Sequence, residues 1–316
     1  SETTKGTQRG LFEPFLDPID GVICASATMR AEELQAFCAP HRLRFPLLLD
    51  GEHTLAEQLA ATSYAPASAR FGAFGENVLG MNWRLPSGKC IRLGERVVKS
   101  TTGYDLVRFL LHASPEWGEA TDYVLRLRPD CGMHATLTLG GDAAAVLKAT
   151  PELLSTCWTH WFDAVDLLLH GENVQLRVLF NSPAEEAPVY RDYLAGFAQA
   201  KGLSMRMEEE TPPLDGVPDV YLKTTPDRAV TLGCEIAMAT EMRCIVIAGC
   251  GVVHGYLPPL LQSAEEGKAA VRELIARYEK EIVSVGGEWG SWRLPAPPAS
   301  GEEAAWREQL LREFAA

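Results

Sequence analysis

The stretch RVVKSTTGYDLVRFLLHASPEWG, Arg96 to Gly118, decides how the chain is read. Val97 and Val98 finish an apolar strand, and Gly103 permits a tight turn. Tyr104 to Leu111 then opens an amphipathic helix that packs on the sheet. Lys99, Ser100, Thr101 and Thr102 fall at the sheet edge between the two elements. Asp105 suits the first turn of a helix, where a carboxylate meets the positive end of the dipole. Gly103-Tyr104-Asp105 therefore reads equally as a plain helix start and as one side of a binding edge.

On the N-terminal side, Gly21 to Ala25 is a short apolar run. Ala31 to Phe37 has helical spacing, and Pro40 stops it. Phe45 to Leu49 is a second apolar run, and Thr54 to Thr62 places Leu55, Leu59 and Ala60 on one face. Val78 to Arg84 and Cys90 to Leu93 alternate as strands about a hairpin turn at Leu85 to Lys89. On the C-terminal side, Tyr123 to Leu127 is a strand. Beyond Asp130 the order is strand (His134–Leu139), helix (Ala143–Leu154), strands (Ala164–Leu169 and Val174–Phe180), helix (Glu185–Lys201) and strand (Leu203–Glu208). That βαββαβ order is the ferredoxin-like pattern. The acidic, Pro-rich segment Glu208 to Asp219 reads as a surface connection. Further strands are expected at Val230 to Cys234 and Arg243 to Ala248. A long helix follows, opened by a Ser263/Glu266 capping box and closed at Gly286-Gly287, with Val271, Leu274, Ile275, Tyr278 and Ile282 as its buried stripe. A Pro/Ala linker, Pro295 to Ser300, precedes a last helix from Glu302 to Phe314. No internal repeat is visible.

The chain has 316 residues and a formal net charge of −13. That balance argues against nucleic acid and anionic membrane surfaces, which select for basic patches. No apolar run reaches the roughly 20 residues of a membrane helix, and Ser1 to Gly10 lacks the apolar core of a signal peptide. Eight cysteines are scattered without a Cys-x-x-Cys pair, which fits buried thiols in a reducing compartment and a cytoplasmic location. No histidine stands at metal-ligand spacing with a second strong ligand. Cys38-Ala39-Pro40-His41 lacks the partner pair that zinc needs, so no metal is expected. Ile247 to Gly255, IAGCGVVHG, has glycines after a strand, but Pro258-Pro259 cannot open the helix that would hold a pyrophosphate.

The opening stretch, extended to GERVVKSTTGYDLVRFLLHASPEWGEATDYVLRLRP, resembles a pattern of the FAD-linked oxidases of the vanillyl-alcohol-oxidase and glycolate-oxidase type, also described as the PCMH-type FAD-binding fold. The likeness runs from Leu16 to Pro129 and includes GVICASATMRAEELQAFCAPHRL and ARFGAFGENVLGMNWRLPSGK. It is similar above all to the smaller FAD-binding subunit of glycolate oxidase. The resemblance implies FAD as cofactor and hydride transfer from the Cα of a 2-hydroxy acid to the flavin. Carried onto this chain, it points to Lys99, Thr102, Gly103, Tyr104, Gly72 and Gly118 at the cofactor and to His254 as the catalytic side chain.

The departures from the pattern bear on the same positions. With about fifteen residues before Leu16, the family's first subdomain, with its Gly-rich phosphate loop, is not expected in this sequence. The family's Gly-Gly aligns with Ala56-Glu57, where a carboxylate would oppose a diphosphate. The family's Gly-Ser-x-Gly-x-Leu-Gly falls on His112 to Gly118, where Gly118 alone matches cleanly. The family's His-Ala-Gly-Asp-Gly-Asn-x-His falls on Ile247 to His254, where Ile247, Cys250 and Val252 replace the His, Asp and Asn.

The expected fold is α+β. A truncated PCMH-type FAD-binding subdomain occupies residues 1–131, and a ferredoxin-like cap with added strands occupies 132–262. Helices in 263–316 are expected to pack back on the first unit. The expected role is a degenerate or accessory subunit that binds no FAD alone and partners a catalytic flavoprotein homologue or itself. The alternative is an active oxidoreductase subunit that completes its FAD site with a partner chain.

Overall fold

The computed structural model describes residues 11–96, 106–111, 115–156, 162–208, 215–240, 242–258, 265–278, 280–282 and 284–286. The first unit contains β1 (Phe15–Asp17), β2 (Val22–Ser26), α1 (Ala31–Cys38), β3 (Leu43–Arg44), α2 (Leu55–Ala61), α3 (Ser68–Phe71) and α4 (Phe74–Asn77). It continues with β4 (Val78–Arg84), β5 (Cys90–Gly94), α5 (Leu106–Leu111), β6 (Glu119–Arg126) and β7 (Arg128–Pro129). Five strands form one antiparallel sheet in the order β1-β2-β6-β4-β5. The hairpin expected at Leu85 to Lys89 joins β4 to β5, with Arg84 opposite Cys90. The core is built by α1 through Leu34 and Cys38, by α2 through Leu55 and Leu59, and by α5 through Val107 and Leu110.

The second unit runs β8 (Met133–Gly140), α6 (Ala143–Thr156), β9 (Phe162–His170), β10 (Asn173–Ser182), α7 (Ala187–Lys201) and β11 (Ser204–Glu208). It goes on through β12 (Val220–Lys223), α8 (Pro226–Ala239), β13 (Arg243–Ile247), β14 (Val252–Tyr256), α9 (Glu265–Tyr278) and β15 (Ser284–Gly286). All eight strands make one sheet, β11-β8-β10-β9-β13-β14-β12-β15, and every pairing is antiparallel. The first half is βαββαβ with neighbour order 4-1-3-2. The second half, β12 to β15, is again βαββαβ, and its order is the mirror sequence 2-3-1-4. The two halves join through their second strands, β9 and β13, with Ile245 opposite Leu168. The repeat is one of topology, with no trace in the residues.

Two expectations fail here. Val230 to Cys234 is not a strand but the middle of α8. Thr225 and Pro226 start that helix, and Ala229, Leu232, Gly233, Ile236 and Ala237 recur at helical spacing on its buried face. The second is the helix after residue 263. It ends at Tyr278 rather than Gly286, because Ser284 to Gly286 pairs with β12 at the sheet edge. This helix packs through Leu274 and Tyr278 into the core of the second unit, not back on the first. Ser263 and residues 287–316 lie outside the described residues.

The helices cover one face of the large sheet, burying Leu137, Leu167, Val178, Val246 and Leu222. Because strand side chains alternate between faces, the neighbours of these residues point to the other face, which lies against the first unit. Arg177, Asp166, Tyr221 and His254 stand there.

Candidate functional site

Three places on or beside that face could carry chemistry. The first is the start of α2, where the family's Gly-Gly aligns with Ala56-Glu57. The Glu57 carboxylate folds back on Thr54, accepting from its backbone N–H and its hydroxyl, both at 2.8 Å. The Thr54 hydroxyl accepts from the Glu57 N–H in return, at 3.3 Å. This reciprocal cap satisfies the helix end, and the donation from Thr54 holds Glu57 below the usual carboxylate range. The remaining first-turn donors are also engaged. Leu55 N–H donates to the Met29 carbonyl, Ala56 N–H to that of Ala27, and Gln58 N–H to that of Thr54.

The second place is His254. Its side chain is fully buried, between Tyr221 on β12 and Ile245 on β13. Its Nε2 lies 3.3 Å from the Thr62 hydroxyl of the first unit. That hydroxyl donates to the Tyr64 carbonyl, so Nε2–H donates to it and Nδ1 is left as a bare acceptor without a partner. Burial pushes the imidazole down to about 4, so it is neutral at pH 7. Around it, Ile247, Val252 and Tyr221 form an apolar cluster completed by Tyr64 and Cys250. Tyr64 stacks on Tyr221 at 6.3 Å, and the Lys223 ammonium sits 5.0 Å over the Tyr64 ring while donating to the Cys250 carbonyl. Burial pushes the Cys250 thiol up to about 11. The ring is neutral, buried and tied to the first unit through Thr62.

The third place lies between the units. A cavity of about 540 Å³ is bounded by α1, by Phe45 to Gly51, by Leu179 and Phe180 on β10, and by Tyr256. Asp215, on its wall, belongs to a buried ion network. Arg177 donates to both carboxylate oxygens of Asp166, at 2.9 and 2.8 Å, and lies 2.7 Å from Asp215. Arg243 also reaches Asp215, at 3.1 Å, and stacks over the Tyr256 ring. Burial alone would lower the Arg177 guanidinium, but Asp166 and Asp215 outweigh it and push it up. The sequence reading passed over this network. The available signal was three ionisable residues, Asp163, Asp166 and Arg177, inside strongly apolar strands.

Of the candidate cofactor residues, Gly72 and Gly118 lie among the described residues. Gly72, at φ 86°, caps α3, and a side chain there would strike the Glu76 carboxylate. Gly118, at φ 110°, lies against the Arg84 carbonyl, where no Cβ fits. Gly72 is explained by its positive φ and Gly118 by the Arg84 carbonyl against it, and neither borders the cavity. Lys99, Thr102, Gly103 and Tyr104 lie outside the described residues, as does Asp105. No group of three or more metal-ligating side chains occurs among the described residues, and none of their helices is long and apolar enough to cross a membrane.

The fold and site define a two-unit α+β protein, in which the polar face of a duplicated antiparallel sheet meets α3 and the Thr62 loop of the first unit. No family model matches the chain. In sequence it is 28% identical over 116 residues to uncharacterized FAD-linked oxidoreductases from two strains of Mycobacterium tuberculosis, a match covering 36% of this chain and 24% of theirs. It is 28% identical over 96 residues to the mitochondrial cytochrome-linked D-lactate dehydrogenase of Arabidopsis thaliana, covering 30% of this chain and 17% of that one. The match thus spans about a quarter or less of these relatives' length. Among solved structures, alkyldihydroxyacetonephosphate synthase superposes with a TM-score of 0.57 at 11% identity, over 98% of this chain and 63% of the other. A second crystal form of that enzyme gives 0.56 at 12% identity, over 86% and 61%. Over part of its sequence the chain is similar to FAD-linked oxidoreductases, and its fold is similar to that of alkyldihydroxyacetonephosphate synthase.

FAD is the cofactor that this similarity implies. At the start of α2 the described residues do not fit it. Diphosphate needs free N–H donors and close backbone approach, and here the first-turn donors are engaged and the Glu57 carboxylate is bonded to Thr54.

Proposed function

We propose that the chain is an accessory member of the FAD-linked oxidases, comparable to the smaller subunit of glycolate oxidase. It holds no flavin alone and works beside a flavin-carrying homologue or a second copy of itself. Its first unit corresponds to the second FAD-binding subdomain of the family, and its duplicated sheet to the cap. The observation that carries this reading is the closed start of α2, with Glu57 bonded to Thr54. The sealed, neutral His254 and its apolar neighbours support it, because the family's acid/base motif is here a packing contact. The described cysteines are free thiols, which supports a reducing compartment, and we place the protein in the cytoplasm. Calorimetric titration of the purified chain with FAD tests the proposal. The expected result is no binding heat beyond dilution, and micromolar or tighter binding would overturn it.

A further inference from the structure

Asp130 and His134 line the cavity between the units, where β8 begins. Three donors reach the Asp130 carboxylate: the Gly132 N–H at 2.9 Å, Asn181 Nδ2 at 2.9 Å and His134 Nε2 at 3.1 Å. All three fall on Oδ1, so no described residue bonds Oδ2, and that oxygen is open to the cavity. Burial opposes ionisation there, but the donations from Gly132 and Asn181 outweigh it and hold Asp130 below the usual carboxylate range. A buried hydroxyl stands on the same face of the sheet. Thr136 follows His134 by two residues along β8, so its side chain points the same way. It lies opposite Leu179, which lines the cavity. Thr136 is 6% exposed, and its hydroxyl has no hydrogen-bond partner among the described residues.

The charge of the wall points to a cation. Five carboxylates line the cavity: Glu32, Asp50, Asp130, Asp163 and Asp215. Glu32 pairs with Arg30, Asp163 with Arg44 and Arg70, and Asp215 with Arg177 and Arg243. Arg177 is shared with a sixth carboxylate, Asp166. Arg70 has a further contact, which adds nothing to the positive side. Six carboxylates therefore face five guanidinium groups. The shortfall lies at Asp50 and Asp130, whose ion-pair partners are the imidazoles of His53 and His134. An imidazole is a weaker counter-ion than a guanidinium, since it ordinarily loses its proton at about pH 6.5. Asp50 has both oxygens bonded, by the His53 N–H and ring and by the Val217 N–H, which leaves Asp130. Much of the remaining wall is apolar, including Phe45, Leu48, Leu49 and Leu179. A cavity of about 540 Å³ lies within the range of small-molecule sites, which are mostly apolar with a few placed polar groups. We propose that this cavity binds an amphipathic amine as its ammonium, the cation against Asp130 Oδ2 and the apolar body along Phe45 and Leu179. The site is separate from the His254 cluster and does not depend on whether the chain holds FAD.

Titration calorimetry on the intact chain at neutral pH tests this with octylamine, octanol, octanoate and methylamine as probes. Octylamine, protonated under those conditions, is expected to bind. Octanol and methylamine should each be weaker by at least about tenfold, the worth of a charge-assisted hydrogen bond or of the buried chain. Octanoate, with the wrong charge, should be weaker than octanol. Asp130→Asn is expected to weaken octylamine by about tenfold or more while leaving octanol unchanged. Because Asp130 also holds Gly132 and Asn181, a second variant, Leu179→Trp, fills the cavity without touching a charge and is expected to abolish octylamine binding. Failure of octylamine to bind the folded wild-type chain would overturn the proposal. So would octanol or octanoate binding as tightly as octylamine, or octylamine binding that is indifferent to Asp130→Asn. Octylamine binding that survives Leu179→Trp would overturn it too, by marking adsorption on the acidic surface.

Discussion

The two halves of the large sheet share one βαββαβ topology and use it in opposite ways. In the first half, the middle of the third strand holds Arg177, flanked by Thr138 and Asp166. In the second, the middle of the third strand holds His254, flanked by Tyr221 and Ile245. Arg177 is buried as a charge and kept so by two carboxylates. His254 is buried as a neutral ring, with one nitrogen bonded and the other bare. The same backbone place can therefore carry an ion network or an apolar plug, and the neighbouring strands decide which. Where Asp166 answers Arg177, charge survives burial. Where Ile245 faces His254, it does not.

The largest expected effect tests the charged half. Arg177→Met strands Asp166 and Asp215 without their guanidinium, and urea unfolding should show a loss of about 3–5 kcal/mol. A loss below about 1 kcal/mol would mean that the network contributes nothing the comparison needs. The neutral half is tested by pH. The folded imidazole of His254 titrates near 4 against an ordinary value of 6.5, so as pH falls the unfolded chain takes the proton first. Stability held above pH 6.5 is lost on the way down to 4, by roughly 3 kcal/mol from this group. His254→Leu removes that contribution, so the acid limb of its stability curve should be flatter by the same amount. Parallel curves for the two proteins would contradict the burial argument. The smallest effect lies in the first unit. Glu57→Ala opens the reciprocal cap of α2 and should cost about 1 kcal/mol in thermal or urea unfolding.

Local features were legible in the residues. The turn at Leu85 to Lys89, the helix from Ala31 and the first βαββαβ run each announce themselves by spacing and turn chemistry. The second βαββαβ run does not. Its first strand, Val220 to Lys223, is four residues long, and the apolar run at Val230 fits a buried strand as well as a helix. Thr225-Pro226 was the deciding signal, since Pro at the first helical position favours the helix. At the site, Glu57 could be read from its alignment with a glycine, because charge and bulk are properties of the residue itself. The engagement of its neighbours' N–H groups could not, because Ala27 and Met29 lie far from α2 in sequence.

The account turns on whether the first unit, with a carboxylate bonded into the start of α2, leaves a flavin anywhere to sit. The direct measurement is to incubate the purified chain with excess FAD, separate it by gel filtration and record the visible flavin absorbance in the protein peak. The predicted result is a colourless peak. A yellow peak at one flavin per chain would contradict it.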